Sequence, residues 1–250
     1  MKKVFILFTF IICVNGSAQT FLEAYESTRQ IQPSEFTSSL SGTDALTFKG
    51  SFNNWSRIMG VLYQFDDIDL LKRGHKGSVF LFDEWNNEAI INVGEKRYRI
   101  SKINFHIESG TFMSRFEGDS TFVFNNVDID KVNINKKTYK KYYNSNESKD
   151  KFYEVIHENK NFSIIKEYSL SIIEGSPNPM VNRRLSEIKR NENYYVFKMG
   201  SILPFKLKEK SVLGLVKKEQ IKSLKVNAEK NNLSFKKEAD IDVILKHIIN

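Results

Sequence analysis

Phe112-Met113-Ser114-Arg115-Phe116-Glu117-Gly118-Asp119-Ser120-Thr121-Phe122-Val123-Phe124 decides the fold class. In an extended chain Phe112, Ser114 and Phe116 share one face and Met113 and Arg115 the other, and Phe122 and Phe124 resume the alternation after Gly118-Asp119. Glycine accepts positive φ at little cost and aspartate can bond its own backbone, so this pair predicts a tight turn between two antiparallel strands.

The same rhythm runs outward in both directions. Strands are predicted at 79–82, 89–93, 98–107, 112–116, 121–124 and 132–134, separated by Gly94-Glu95, Ser109-Gly110, Gly118-Asp119 and Asn125-Asn126. Further strands are predicted at 152–156, 162–173, 194–199 and 202–207, with Glu158-Asn159-Lys160 as a hairpin loop. Short strands joined by short turns make an antiparallel meander. Two stretches interrupt it: residues 136–151 read as an exposed loop whose lysines 136, 137, 140 and 141 discourage edge pairing, and 175–192, with Pro177 and Pro179, read as a long surface excursion. These two loops are where function is to be sought, and a deep pocket under them is the observation that would say most, because binding sites concentrate on long loops held by a rigid sheet. Near the end the period changes to that of a helix: Ile221, Leu224 and Ala228 form one stripe, Ile241, Ile244, Leu245 and Ile248 a second, and Asn231-Asn232 the break between them. The expected class is therefore mostly β, α+β at the margin: an antiparallel meander sheet or partly closed barrel with a small C-terminal helical hairpin.

Residues 1–18 read as an export signal: Lys2 and Lys3, an apolar run over 4–14, then Gly16-Ser17-Ala18. That run is too short to cross a bilayer, which takes about 20 residues. The domain plan is then signal peptide 1–18, polar segment 19–43 with a short helix at most, antiparallel β domain 44–208 and helical appendage 209–250. Cleavage would remove Cys13, the only cysteine, and with it thiol catalysis, cysteine-ligated zinc and disulfide stapling. The 20 Phe and 10 Tyr supply an ample core instead. Formal charge is +8, and +6 without Lys2 and Lys3; the segment from Lys206 onward holds 11 lysines against 6 acids, so the β domain is nearly neutral and the tail is basic.

Each catalytic or metal template meets an obstacle. His75, His106, His157 and His247 are scattered without metal-ligand spacing, and no GxSxG elbow or glycine-rich phosphate loop occurs. His106-Ile107-Glu108 lacks the cysteines a zinc deaminase needs. The calcium-loop opening Asn126-Val127-Asp128-Ile129-Asp130 fails because Lys131 stands in place of Gly and Lys137 in place of Glu. No metal and no cofactor are expected. The candidate binding residues are Asp83, Glu84 and Trp85, carboxylates ending an apolar strand beside an aromatic able to stack on a sugar ring. Arg99, Lys102, Arg115 and Lys166 fall inside predicted strands, which indicates a half-solvated sheet and argues against a membrane barrel.

Lys76-Gly77-Ser78-Val79-Phe80-Leu81-Phe82-Asp83-Glu84-Trp85, the apolar strand 89–93 with Lys96-Arg97-Tyr98, and the tail segments Lys217-Lys218-Glu219-Gln220-Ile221-Lys222 and Asn232-Leu233-Ser234-Phe235-Lys236-Lys237-Glu238-Ala239-Asp240 together resemble exported, β-rich envelope proteins of Bacteroidota-type bacteria. The resemblance covers residues 64–250 and implies export and a β-rich fold. That family has no established activity, so it carries over no catalytic residue. The function expected is a non-enzymatic binding or structural role in the periplasm, at the envelope or outside the cell, with an envelope component or polysaccharide as partner and not nucleic acid. The alternatives are a carboxylate-based carbohydrate hydrolase and a protein that binds anionic lipid or lipopolysaccharide through its basic tail.

Overall fold

The computed structural model describes residues 30–31, 61–64, 75–115, 120–176 and 185–247. The export signal, most of the polar segment, the Gly118-Asp119 turn, Pro177, Pro179 and Ile248 lie outside them. The strands are β1 (Gln30–Ile31), β2 (Val61–Gln64), β3 (His75–Lys76), β4 (Ala89–Val93), β5 (Lys96–Ile100), β6 (Ile103–His106), β7 (Thr111–Arg115), β8 (Ser120–Val123), β9 (Lys131–Ile134), β10 (Lys137–Asn144), β11 (Lys149–Glu158), β12 (Ser163–Ile173), β13 (Ser186–Lys198) and β14 (Ser201–Pro204). Three helices follow: α1 (Glu209–Leu213), α2 (Lys218–Lys230) and α3 (Glu238–Lys246).

The strands form two open sheets, a five-stranded one in the order β1-β2-β8-β7-β6 and a nine-stranded one in the order β14-β13-β12-β11-β10-β9-β4-β5, with β3 added to β13. Apart from the parallel β3–β13 pair, every pairing is antiparallel. The predicted mostly-β meander with C-terminal helices is what the chain forms.

One face of the large sheet carries the main core, and a smaller cluster of Tyr142, Tyr153, Ile165 and Ile202 lies on the other. Alternation along β4 buries Ala89, Ile91 and Val93 and leaves Ile90 and Asn92 outward. The same period buries Tyr98 and Ile100 on β5 and Val132 and Ile134 on β9. These side chains join Ile103, Phe105, Phe112 and Phe122 of the smaller sheet in one cluster. Tyr139 and Phe152 meet Phe112 edge-on, at centroid distances of 6.0 and 5.0 Å. Farther along the same face the cover changes: Ile164 and Val196 pack against Val212 of α1 and Ile241 and Leu245 of α3. Of the predicted helical stripes, Leu224 and Ala228 of α2 and Ile241, Ile244 and Leu245 of α3 are buried, Ile221 is half-buried, and Asn232 takes φ 52 at the break. Helix α1 went unread because five residues are too few to show a helical period.

Four local readings are corrected. Residues 136–151 are not a loop but most of the β10–β11 hairpin. Lysine occurs on both faces of β10, which hides the period, yet Tyr139 and Tyr142 are buried and each strand lysine has a partner. Lys137 reaches Glu154 (3.2 Å), Lys140 reaches Glu158 (2.5 Å), and Lys141 donates to the carbonyls of Asn126 and Val127 (2.9 and 2.5 Å). The second reading, an excursion over 175–192, gives way to β13 from Ser186 onward; its polar residues are held by the β12 ladder and by Asn191–Ser171 and Asn193–Ser169 side-chain bonds. The third, a single strand over 98–107, breaks at Lys102 (φ 53), where the chain leaves one sheet for the other and Ser101 and Lys102 offer their carbonyls to Ser114 Oγ and the Arg115 N–H.

The fourth is the strand predicted at 79–82, which keeps only one bridge, Phe80 to His106. That bridge rests on two backbone bonds, Leu81 N–H to the Phe105 carbonyl (2.9 Å) and Ile107 N–H to the Val79 carbonyl (3.0 Å). Beyond it the fully buried Asn104 amide takes over, accepting from the Phe82 N–H (3.0 Å) and donating to the Phe82 carbonyl (2.8 Å). Gly77 lets this segment lie against β13: a Cβ there would fall 2.6 Å from the Ile188 carbonyl oxygen. Along 19–43 only the two-residue strand β1 is described, and the short helix expected earlier in that segment lies outside the described residues. Because Asn104→Ala strands two Phe82 backbone groups, it is expected to cost about 2 kcal/mol of unfolding free energy in urea titration; a loss below about 0.5 kcal/mol would contradict this role.

Candidate functional site

Asp83, Glu84 and Trp85 do not converge. Asp83 holds Arg190 (2.9 Å) at the surface, while Arg190 also donates to the Leu81 carbonyl. The Glu84 side chain is exposed, and its carbonyl accepts from Asn87 Nδ2 (2.6 Å). Trp85 packs edge-on against Phe80 (4.7 Å), and the Arg115 guanidinium lies 4.4 Å from its ring centroid. That ring face is therefore already engaged by a cation.

A denser constellation lies where the two covers of the large sheet meet. Lys166, in the middle of β12, is 2% exposed, not solvated as its place in a strand had indicated. Its Nζ lies 2.9 and 3.1 Å from the two carboxylate oxygens of Glu238, in the first turn of α3, 3.5 Å from Glu154 of β11 and 3.7 Å from Glu192 of β13. Tyr168 donates to Glu154 (2.5 Å), and Lys137 reaches the same oxygen (3.2 Å). The Tyr194 hydroxyl bridges Glu238 (2.5 Å) and Glu192 (3.2 Å). One turn farther along α3, Asp242 Oδ1 lies 3.0 Å from Nδ1 of the buried His157, whose Nε2 faces Asn159 Nδ2 (3.3 Å). With the proton on Nδ1 the neutral ring satisfies both contacts, donating to Asp242 and accepting from Asn159.

The electrostatics make this a fixed tie. Burial works against the Lys166 charge, but the hydrogen bond to Glu238 and the fields of Glu154, Glu238 and Glu192 outweigh it and hold its pKa up. Burial likewise opposes the Glu238 charge, and the Tyr194 and Lys166 hydrogen bonds overcome it, so its carboxyl sits below the usual value of 4.5. Burial first, and then the neighbouring carboxylates, push the phenols of Tyr168 and Tyr194 upward, which keeps them donors. Elsewhere, burial lowers His106 to about 4 and keeps it neutral. Among the described residues no group of three His, Cys, Asp or Glu is placed to hold a metal ion, and no helix is long and apolar enough to cross a membrane.

Beside the tie lies an open groove of about 510 Å³. Tyr194, Pro204, Phe205 and Leu207 line it together with Glu192, Lys206 and Lys236. It opens where the chain peels away from β14, with the Phe205 N–H still bonded to the Tyr194 carbonyl (2.8 Å). Tyr194 and Glu192 belong both to the groove and to the Lys166 tie. Sequence reasoning missed the constellation because its members lie on four strands and a helix; the one local signal was Lys166 amid Ile164, Ile165 and Tyr168. The chain matches no family model, no curated protein and no solved structure.

Removing the central cation leaves the half-buried Glu238 carboxylate with Tyr194 as its remaining partner and Glu154 with Tyr168 and Lys137. Lys166→Met is therefore expected to lose about 3 kcal/mol of stability in urea unfolding; a loss under about 1 kcal/mol would contradict the tie. The lowered Glu238 pKa also sets a pH dependence. Its contribution is full above the unfolded-state pKa and lost as pH falls through the folded value. Between pH 5 and 3, stated as approximate limits, Glu238→Gln is expected to lose less stability than the native chain does, and parallel curves would refute the assignment.

Proposed function

We propose that this chain is an exported binding module of the cell envelope without a catalytic role, and that its ligand lies in the groove between β13, β14 and the start of α3. The observation that carries the reading is the pairing of an aromatic and prolyl wall (Tyr194, Pro204, Phe205) with two lysines, Lys206 and Lys236, at one opening. That combination suits a ligand with a flat or apolar body and one anionic group. Export is supported by the leader at residues 1–18 and by the resemblance to exported envelope proteins.

The second reading, a carboxylate-based hydrolase, has one observation in its favour. Tyr194 brings Glu192 and Glu238 beside the groove and well inside the roughly 10 Å that paired catalytic carboxylates span. Such an enzyme needs one carboxyl that keeps its proton beside an ionised one free to act; Glu238, shifted down, suits only the ionised role, and both its oxygens are already held by Lys166 and Tyr194. Binding without turnover therefore fits the cluster better. The basic-tail reading also converges on the groove, since Lys206 and Lys236 are tail residues.

Anilinonaphthalene sulfonate, with an aromatic body and one anionic group, is a suitable probe. Saturable one-site binding to the folded chain is expected, weakened about tenfold in the Lys206→Gln/Lys236→Gln double variant. Unsaturable binding, or equal affinity in the variant, would overturn the groove assignment.

A further inference from the structure

At the opposite end of the large sheet, cations stand in line across the strands. Register places Arg97 opposite Asn92, Asn92 opposite Lys131, and Lys131 opposite Lys140. These four side chains leave one face of β5, β4, β9 and β10, where neighbouring strands lie about 4.8 Å apart. The adjacent row on that face is Arg99, Ile90, Asn133 and Thr138. The core takes the opposite face of the same strands, through Ile91, Tyr98, Val132 and Tyr139.

A lysine directly opposite a lysine works against the sheet. Glu158 relieves Lys140 (2.5 Å) and Glu88 relieves Arg99 (2.5 Å), but among the described residues no acid pairs with Arg97 or Lys131. Blunting an unpaired edge would explain the charges of β5. It does not explain Lys131 and Lys140, whose strands are flanked on both sides. The polar side chains between the cations are already ordered: Asn92 donates to the Lys131 carbonyl (3.2 Å) and Thr138 to Asn133 (2.9 Å).

We infer that this face binds a linear anionic polysaccharide lying across the strands, with its carboxylates on Arg97 and Lys131 and its hydroxyls along the Asn133–Thr138 row. The strand spacing is close to the length of one pyranose residue, so successive sugars meet successive strands. Single-stranded nucleic acid asks for exposed aromatic platforms, and the aromatic next in line, Tyr153 opposite Lys140, is buried. A membrane surface asks for projecting apolar side chains, and Ile90 stands alone. The surface is separate from the groove, so either assignment can fail without the other.

Polygalacturonate is the probe, titrated against the full chain with dextran as the neutral control. Binding to polygalacturonate and not to dextran is expected, with affinity falling as salt is raised. Arg97→Gln/Lys131→Gln should weaken it about tenfold or more, and Lys217→Gln/Lys222→Gln on α2 should change it less than about twofold. Lys131→Gln alone should leave the thermal midpoint unchanged or raise it, because it removes a like-charge pair. No polygalacturonate binding, equal affinity in the Arg97/Lys131 variant, an equal loss in the α2 variant, a lowered midpoint for Lys131→Gln, or tighter binding of single-stranded DNA would each overturn the inference.

Discussion

Lys166 carries a positive charge at a position 2% exposed, and the arrangement of the molecule turns on how that charge is met. Desolvating an ammonium group costs several kcal/mol, recovered only when acids and hydroxyls stand at the right distances. Here the acids come from different elements: Glu154 from β11, Glu192 from β13 and Glu238 from α3. Apolar packing alone tolerates small slides of a helix over a sheet, whereas this contact does not. Glu238 meets Lys166 of β12 and, one turn later, Asp242 meets His157 of β11, so both the position and the rotation of α3 are specified.

The tie lies where it is needed. One face of the large sheet is covered by the aromatic cluster of the smaller sheet toward β5 and β4, and by the helices toward β13 and β14. Between these unlike covers, the polar residues of β10, β11 and β12 close the seam with hydrogen bonds. Because Tyr194 and Glu192 lie on this seam and also line the groove, the groove wall is held by the same bonds that dock the helices. Preorganisation of this kind lowers the ordering cost of binding.

Much of the fold was legible because burial follows period. Strand β4 ends where the apolar alternation of 89–93 ends, and the stripes of α2 and α3 contain the residues that are buried. Legibility failed where side chains serve two ends at once. The lysines of β10 read as loop because their charges dominate the pattern, although salt bridges and carbonyl contacts absorb them while Tyr139 and Tyr142 carry the burial. Residues 79–82 read as a strand, but the partner of Phe82 is the Asn104 side chain. Asp83, Glu84 and Trp85 stood out as neighbours in sequence and are tied up separately, whereas Lys166, Glu154 and Glu238 are distant in sequence and meet.

Native-state hydrogen exchange tests the central claim most directly, by comparing the amides of Ile241, Ile244 and Leu245 in α3 with those of Ile164 and Ile165 in β12. If the buried tie makes helix and sheet one cooperative unit, both sets exchange through the same opening, with equal free energies and equal denaturant dependence. Exchange of the α3 amides through a separate opening of much lower free energy, with β12 still protected, would contradict it.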